Sequence, residues 1–487
     1  MKAKRFRHAR AVLPMLAVAL ISACDLAPRY SRPTTPTVTA YKEAGPWVTA
    51  TPGDAIPRTA WWTVFHDATL DTLETRVAQA NQDLQGAIAR FDEARADARE
   101  AQADFYPTID ANGSATRNHL SGNLANPLSN RSFRQYSLGP DFTYELDVWG
   151  RVRNEARAGK FRAEASAGDL AMVDLSVHAE LAADYFALRG YDSEQDILDK
   201  TVQNYRINLD LTSARLKVGY ARKADVSAAQ AQWESVRTQA AEIRLKRAKL
   251  EHAIAILTGA PPASLSLPVQ RLDAEPPAIN PVLPSELLER RPDVASAERR
   301  VAAANADIGV ARAAYFPTIN LNALFGLAAA QTGAVFSASS EAWSYGSSAS
   351  VNLFDGGRRR AINAQARARR DEAVATYRQT VLNAFGDVED NLAALRQLAE
   401  EAQTQQAAVS AAAETTMHAT DLYKGGLQSY FDVVQAQNIE LQARLADVDI
   451  RTRRMTSSVL LIKALGGGWQ RDERGLSAAL PPHGIGR

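Results

Sequence analysis

Apolar positions recur along this chain with two different periods, and stretches of the two periods alternate. Val173, Val177, Leu181, Tyr185 and Leu188 fall about one helical turn apart. Val381, Phe385, Val388, Leu392 and Leu395 step 4, 3, 4, 3, the spacing of a coiled-coil seam. The first pattern predicts a helix from about Arg151 to Leu216 and the second one from about Arg358 to Tyr423. Each would be a rod of ~100 Å, which a compact globule cannot house. A glycine break follows each rod, at Lys217-Val-Gly219 and at Gly425-Gly426. Helices then restart near Lys223, running to about Leu257, and near Ser429, running to about Leu465. Glycine just past a helix end, with Ser429 placed to cap the next helix, makes a tight helix-turn-helix. Proline permits all of this: of 21 prolines, none lies between Asp141 and Ala260 or between Thr318 and Leu480.

Four shorter segments alternate with period two. Ile109, Ala111, Gly113 and Ala115 are interleaved with Thr108, Asp110, Asn112, Ser114 and Thr116. Tyr136, Leu138, Pro140, Phe142, Tyr144 and Leu146 are interleaved with Gln135, Ser137, Asp141, Thr143 and Glu145. Later come Ile319, Leu321, Ala323 and Phe325, and then Trp343, Tyr345, Ala349, Val351 and Leu353. Alternation over ~10 residues with aromatics on the apolar side is the pattern of a transmembrane β-barrel strand. An amphipathic hairpin in a soluble domain has the same alternation, so both readings stand at this level. In lipid, strand edges are tolerated only if the barrel closes. Four strands cannot close one, since about eight are needed, whereas three chains would supply twelve.

The elements also occur twice. Ala103-Asp-Phe-Tyr-Pro-Thr-Ile-Asp110 returns as Ala313-Ala-Tyr-Phe-Pro-Thr-Ile-Asn320, and Leu146-Asp-Val-Trp-Gly-Arg151 returns as Leu353-Phe-Asp-Gly-Gly-Arg358. Lys217-Val-Gly219 with Asp225-Val226 and Ala229-Gln230 returns as Lys424-Gly-Gly426 with Asp432-Val433 and Ala436-Gln437. Three blocks kept in order at nearly constant offset mean one duplicated unit. The predicted fold class is mainly α with membrane β. Long coiled-coil helices and two β-hairpins form a duplicated unit, and a trimeric 12-stranded β-barrel continues into a periplasmic α-helical barrel. Polar faces would line a water-filled duct.

The ends of the chain add location. Lys2, Lys4, Arg5, Arg7 and Arg10 precede an apolar run from Ala11 to Ile21, and Ser22-Ala23-Cys24 follows. That reads as a secretory signal peptide with a small-residue cleavage site. Cys24 is the sole cysteine, so no intrachain disulfide forms. Ile21-Ser-Ala-Cys24 resembles a lipobox, which implies cleavage before Cys24 and several acyl chains on it, a firm anchor. The expected organisation is a signal peptide over 1–23, a lipid-anchored extended segment over 24–65, repeat one over 66–259, a Pro-rich linker over 260–283, repeat two over 284–469 and a flexible tail over 470–487. After Cys24 no run of ~18 apolar residues occurs.

Charge and motifs remove other classes. With 56 basic and 55 acidic residues the chain has no nucleic-acid bias. It has no His-x-x-x-His pair, no Gly-x-Ser-x-Gly, no phosphate loop and no dinucleotide glycine pattern. The expectation is no enzyme, no metal and no cofactor beyond covalent lipid on Cys24. His178, His252 and His418 read as helix residues, exposed or packed.

The most specific stretch is Leu283-Pro-Ser-Glu-Leu-Leu-Glu-Arg-Arg-Pro-Asp293, with Ala297-Glu298 and Ala303 through Pro317 behind it. Near the start stand Trp61-Trp62, Phe65, Asp67 and Leu70, then Asn81 with Leu84. In these motifs the chain resembles the outer membrane factors of tripartite efflux systems, the TolC-like trimeric ducts, and their lipoprotein branch serving RND-type pumps. The resemblance implies a passive exit duct for small molecules such as drugs, set in the outer membrane as a homotrimer. Its implied partners are a periplasmic adaptor, an inner-membrane RND pump and outer-membrane lipid. It further implies a periplasmic gate at the two glycine turns. There Asp225 matches an aspartate that bonds a tyrosine matching Tyr423, beside Lys424. Asp432 matches one acidic ring position, Phe431 an apolar constriction, and Gln435 a second position that is acidic in relatives. Gln428 stands where some members carry arginine. Capping is the alternative reading, since Asp225 and Asp432 each lie in the first turn of a restarting helix. For Tyr423 the alternative is a packing residue. Asp25 resembles, in some bacteria, an inner-membrane retention signal; the four strands point instead to the outer membrane. Metal or protein export through the same duct, and a lipid-anchored coiled-coil scaffold, remain alternatives.

Overall fold

Asp67 begins the regular part of the chain. Its carboxylate accepts the backbone N–H groups of Thr69 and Leu70 and so caps α1 (Ala68–Ala80). Asn81 repeats the device for α2 (Gln82–Ala103) by accepting from Leu84 N–H. There follow β1 (Thr108–His119), β2 (Ser132–Glu145), α3 (Arg151–Lys217), α4 (Lys223–Leu257), α5 (Pro292–Ala313), β3 (Thr318–Ala329), β4 (Glu341–Ser350), α6 (Arg358–Lys424) and α7 (Tyr430–Ala464). This computed structural model describes residues 25–35, 40–43, 60–123, 131–277, 279 and 290–468. Cys24 with the signal segment, residues 283–289 of the Pro-Ser-Glu motif and the C-terminal tail lie outside the described residues.

The two long helices, α3 and α6, each run 67 residues, and the helices after them, α4 and α7, each run 35. The duplication is therefore equal in length at the level of whole helices. Their predicted ends hold to within a residue. The alternating segments are strands too, in one antiparallel sheet of order β1-β2-β3-β4. The strands run a few residues past the alternating segments at most ends, β1 to His119 and β3 to Ala329, but β4 stops short at Ser350, so the alternation of Val351 and Leu353 does not continue the strand. Leu353 and Phe354 stand exposed in the turn that leads to α6.

Two compact units divide these elements. The first takes in residues up to 34, 91–166 and 297–377. Its sheet carries one polar and one apolar side in continuous register. Ile109 faces Phe142, Phe142 faces Ala323, and Ala323 faces Tyr345; Thr108, Thr143, Asn322 and Gly346 line up on the other side. At the base of the hairpins Trp149 stacks on Phe316 at 4.7 Å, and its indole N–H donates to the Pro317 carbonyl at 2.8 Å. Asp147 caps α3 through Val152 and Arg153 N–H, and Asp355 serves α6 through Gly357 and Arg359 N–H. The N-terminal segment lies along these helix ends. Asp25 accepts from Asn154 and Arg157, the Leu26 and Pro28 carbonyls accept from Arg312 and Asn305, and Tyr30 bonds Glu298.

Between β2 and β3 the sheet closes on glycine. A Cβ at Gly139 would sit 2.1 Å from the Phe325 carbonyl oxygen, and one at Gly326 would sit 2.6 Å from that of Leu138. Pro140 follows, with no N–H to donate, and the β2–β3 register lapses between Leu138 and Asp141, where the two glycines let the backbones approach.

The second unit holds residues 35–90, 167–296 and 378–487. The helical seams are its core: Leu181, Tyr185 and Leu188 on α3, and Val381, Val388 and Leu392 on α6, have no accessible surface. Leu198, Tyr205, Val236, Ala240, Ile243 and Leu441 join α3, α4 and α7 in one cluster. The described part of the Pro-rich stretch is held against these helices. Leu267 N–H donates to Glu251, Gln270 N–H to Asp192 and Leu272 N–H to Ser193.

Candidate functional site

The second unit contains both glycine turns, and each turn is built by local rules. α3 ends on Arg215 and Lys217, basic residues that suit the negative end of a helix. Gly219 then takes a φ of 80°, a left-handed conformation costly to other residues. The second turn repeats this with Gly426 at 77° after Lys424. Neither glycine has an atom near the position of a missing Cβ, so only the backbone conformation demands glycine there.

The six residues proposed for a gate lie together here but are not all joined. Asp225 accepts from the backbone N–H of Arg222 at 2.9 Å and from its guanidinium at 3.1 Å. Burial works to raise this carboxyl, but the Arg222 backbone and side chain outweigh it and hold the group below the ordinary aspartate value. Asp432 accepts the N–H and hydroxyl of Ser429, at 3.2 and 2.7 Å. Both aspartates therefore serve the first turn of a restarting helix. The bond implied between Asp225 and Tyr423 is not made: the Tyr423 hydroxyl is buried with no hydrogen-bond partner among the described residues. The Asp225 carboxylate is engaged instead by Arg222, three residues before it, through the backbone N–H and the guanidinium. The Tyr423 ring instead packs against Tyr430 at 5.3 Å, in a cluster with Leu209, Ala419, Val433 and Ala436. Lys424 pairs with Asp421 at 3.7 Å on the surface, while Phe431 and Gln435 stand exposed, Phe431 at 68%.

Two arginines that the spacing of residues did not single out organise this end. Arg222 is one. The other is Arg215, which donates to the Tyr423 and Lys424 carbonyls at 3.2 and 3.1 Å and lies over the Tyr423 ring at 4.7 Å. Those carbonyls belong to the last turn of α6, beyond its regular bonding, where that of Tyr423 also accepts from Gly426 N–H at 3.1 Å. The basic last turn of α3 was a signal for Arg215, but only for service to its own helix.

A second polar cluster in this unit was also missed. His178, 3% exposed, places Nδ1 2.5 Å from Glu74 and Nε2 3.5 Å from Asp174, with Trp62 stacked on its ring at 4.6 Å. Burial alone would lower the imidazole, but bonds to Asp174 and Glu74 outweigh it and raise it to about 9. Burial raises Glu74 to about 7 against the pull of His178. Both groups bind protons more tightly folded than unfolded, so their stabilisation is complete in acid and fades with rising pH. The His178 share is lost between its ordinary value near 6.5 and about 9. The denaturation midpoint of the native chain should therefore fall across that window relative to a His178→Gln variant, by guanidinium titration at a series of pH values. A difference that does not change with pH contradicts the ion pair. Among the described residues no group of three His, Cys, Asp or Glu gathers to hold a metal.

Comparison with known proteins bears on the whole of this architecture. The model of the outer membrane efflux protein family matches residues 74–260 and 283–467, one stretch per repeat. The antibiotic efflux pump outer membrane protein ArpC of Pseudomonas putida is 31% identical over 455 residues, 92% of this chain and 94% of that protein. The cation efflux system protein CusC of Escherichia coli O6:H1 is 30% identical over 468 residues, covering 94% and 99%. The crystal structure of the CmeC outer membrane channel of Campylobacter jejuni superposes with a TM-score of 0.85 at 25% identity, covering 92% of this chain and 96% of that one. Both repeats, the hairpin sheet and the long helices are thus accounted for by one group of proteins. The chain belongs to the outer membrane efflux protein family and is an outer-membrane channel of efflux.

Proposed function

We propose that three copies of this chain form the passive exit duct of a tripartite RND-type efflux system, each anchored by lipid on Cys24 and meeting a periplasmic adaptor that joins it to an inner-membrane pump. The observation that carries the reading is the pairing of a four-stranded sheet, too small to close alone, with duplicated 67-residue helices. Sharing one barrel among three chains removes the open edges. The duct performs no catalysis and needs no cofactor, in keeping with a family of channels.

Cargo is set elsewhere. ArpC is named for antibiotics and CusC for cations, yet this chain is equally close to both. We assign it small molecules such as drugs, the class to which the cargo of the antibiotic efflux relative ArpC belongs, with cation export as the second reading.

The gate lies at the two turns, where Asp225, Tyr423, Lys424, Phe431, Asp432 and Gln435 stand. Its closure depends on the backbone tie made by Arg215, with Phe431 as the exposed apolar element. In planar bilayers the native channel should conduct weakly, and Arg215→Ala should raise conductance several-fold. Tyr423→Phe should leave it unchanged, since that hydroxyl has no partner to lose. Equal conductance in the native chain and Arg215→Ala would sink the tie as a gate and leave it as packing.

A further inference from the structure

The two hairpins differ in charge where they leave the apolar band. From Ala111 through Pro140 the chain has no aspartate or glutamate and carries Arg117, Arg131 and Arg134. From Leu321 through Ser350 it has no lysine or arginine and a single acid, Glu341. Arg117 and Arg134 are direct cross-strand partners in the β1–β2 register. They fall on the apolar side, in line with Ile109 and Phe142, Gly113 and Leu138, and Ala115 and Tyr136. Neither side chain makes a hydrogen bond or ion pair among the described residues.

Like charges directly opposite each other on a strand pair repel, and nothing within the hairpin neutralises these. Glu341 lies on the same side but two strands away and four residues along the register, ~16 Å from Arg134 by strand and residue spacing. The pair stands ~26 Å along the strand from Ile109, at the end remote from the helices, one step beyond Tyr136. An apolar band of ~25 Å bounded by aromatics ends at about that level. Charge on the lipid side costs little there, and two arginines directly opposite each other on one side of the sheet offer paired guanidinium forks that suit the oxygens of a phosphate.

We propose that the outer end of the β1–β2 hairpin, built on Arg117 and Arg134, binds the phosphate of an anionic lipid headgroup in the outer leaflet. The inference rests on the family's placement of these strands across the membrane, not on which pump or cargo the duct serves. The apolar side below the pair receives the acyl chains, and the phosphate sits between the guanidiniums and cancels their repulsion. The second hairpin, lacking basic residues, has no equivalent site.

The test uses the full chain in phosphocholine nanodiscs, with lipid binding counted by native mass spectrometry and melting followed by loss of helical signal. A diphosphorylated glucosamine lipid should bind and raise the melting temperature, and its dephosphorylated form should do neither. The double variant R117Q/R134Q should bind it roughly tenfold or more weakly, the loss expected for charge-assisted contacts. In phosphocholine alone that variant should melt at or above the native chain, because the like-charge pair is gone. R117K/R134K keeps the charge without the forks, and should retain part of the binding if the first variant fails to fold. Unchanged affinity in both variants overturns the proposal. So does an equal melting shift from inorganic phosphate alone, which would make the site one for free anions. Neither readout depends on conduction, so the result stands apart from the fate of the gate.

Discussion

Asp192→Ala should destabilise the chain by ~3–5 kcal/mol, the cost of stripping a buried charge of its partner. Asp192 has no exposed side-chain surface and accepts from the Arg189 guanidinium at 3.0 Å, the Arg247 guanidinium at 2.6 Å and the Gln270 N–H at 3.0 Å. Arg189 is itself 2% exposed, and two of its nitrogens already lack partners. Without Asp192 it keeps only the Pro268 carbonyl and the face of Tyr185. The loss should appear as a lower denaturant midpoint by circular dichroism, together with faster proteolysis between 260 and 277, the stretch that Asp192 helps hold down. Asp196→Ala is the control. That residue pairs at the surface with Lys200 and Arg271, and its removal should cost under ~1 kcal/mol. Equal effects from the two substitutions would refute the buried network as the source of stability.

The second large effect belongs to the sheet. Gly139→Ala places a methyl group 2.1 Å from a backbone oxygen and 2.5 Å from the Gly326 Cα. Neither neighbour is a side chain able to swing aside, so β2 and β3 have to part. Overpacking a well-filled site ordinarily costs ~1–3 kcal/mol, and backbone against backbone belongs at or above the top of that range. The seam between β2 and β3 joins the two hairpins of a chain, and opening it should abolish the heat-modifiable folded band in gels of membrane fractions. Gly346→Ala on β4 meets nothing within 4 Å and should fold normally. A fully folded Gly139→Ala protein would mean that the two strands pack less closely than described.

These two sites also mark where reading the sequence stops. The long helices, their breaks and the four strands are legible because periods of 3.6 and 2 write burial directly into neighbouring residues. Glycine at 219 and 426 announces the turns for a similar local reason. Gly139 announces nothing, because its constraint comes from Phe325, nearly two hundred positions away in the other repeat. His178 and Glu74 are 104 residues apart and meet only through packing of α1 on α3. At the turns, resemblance paired Asp225 with Tyr423, whereas the carboxylate is bound by Arg222, local and charged. Strand β4 was read too long because Val351 and Leu353 keep the alternation after their neighbours have left the ladder.

The Arg215 tie has a consequence for motion. The last carbonyls of an α-helix are where it frays, and those of α6 are held by a side chain from α3, 208 positions earlier. Opening of either end removes the partner of the other. The amides of the two terminal turns should then exchange with solvent as a single cooperative unit, and Arg215→Ala should split it into two that open independently.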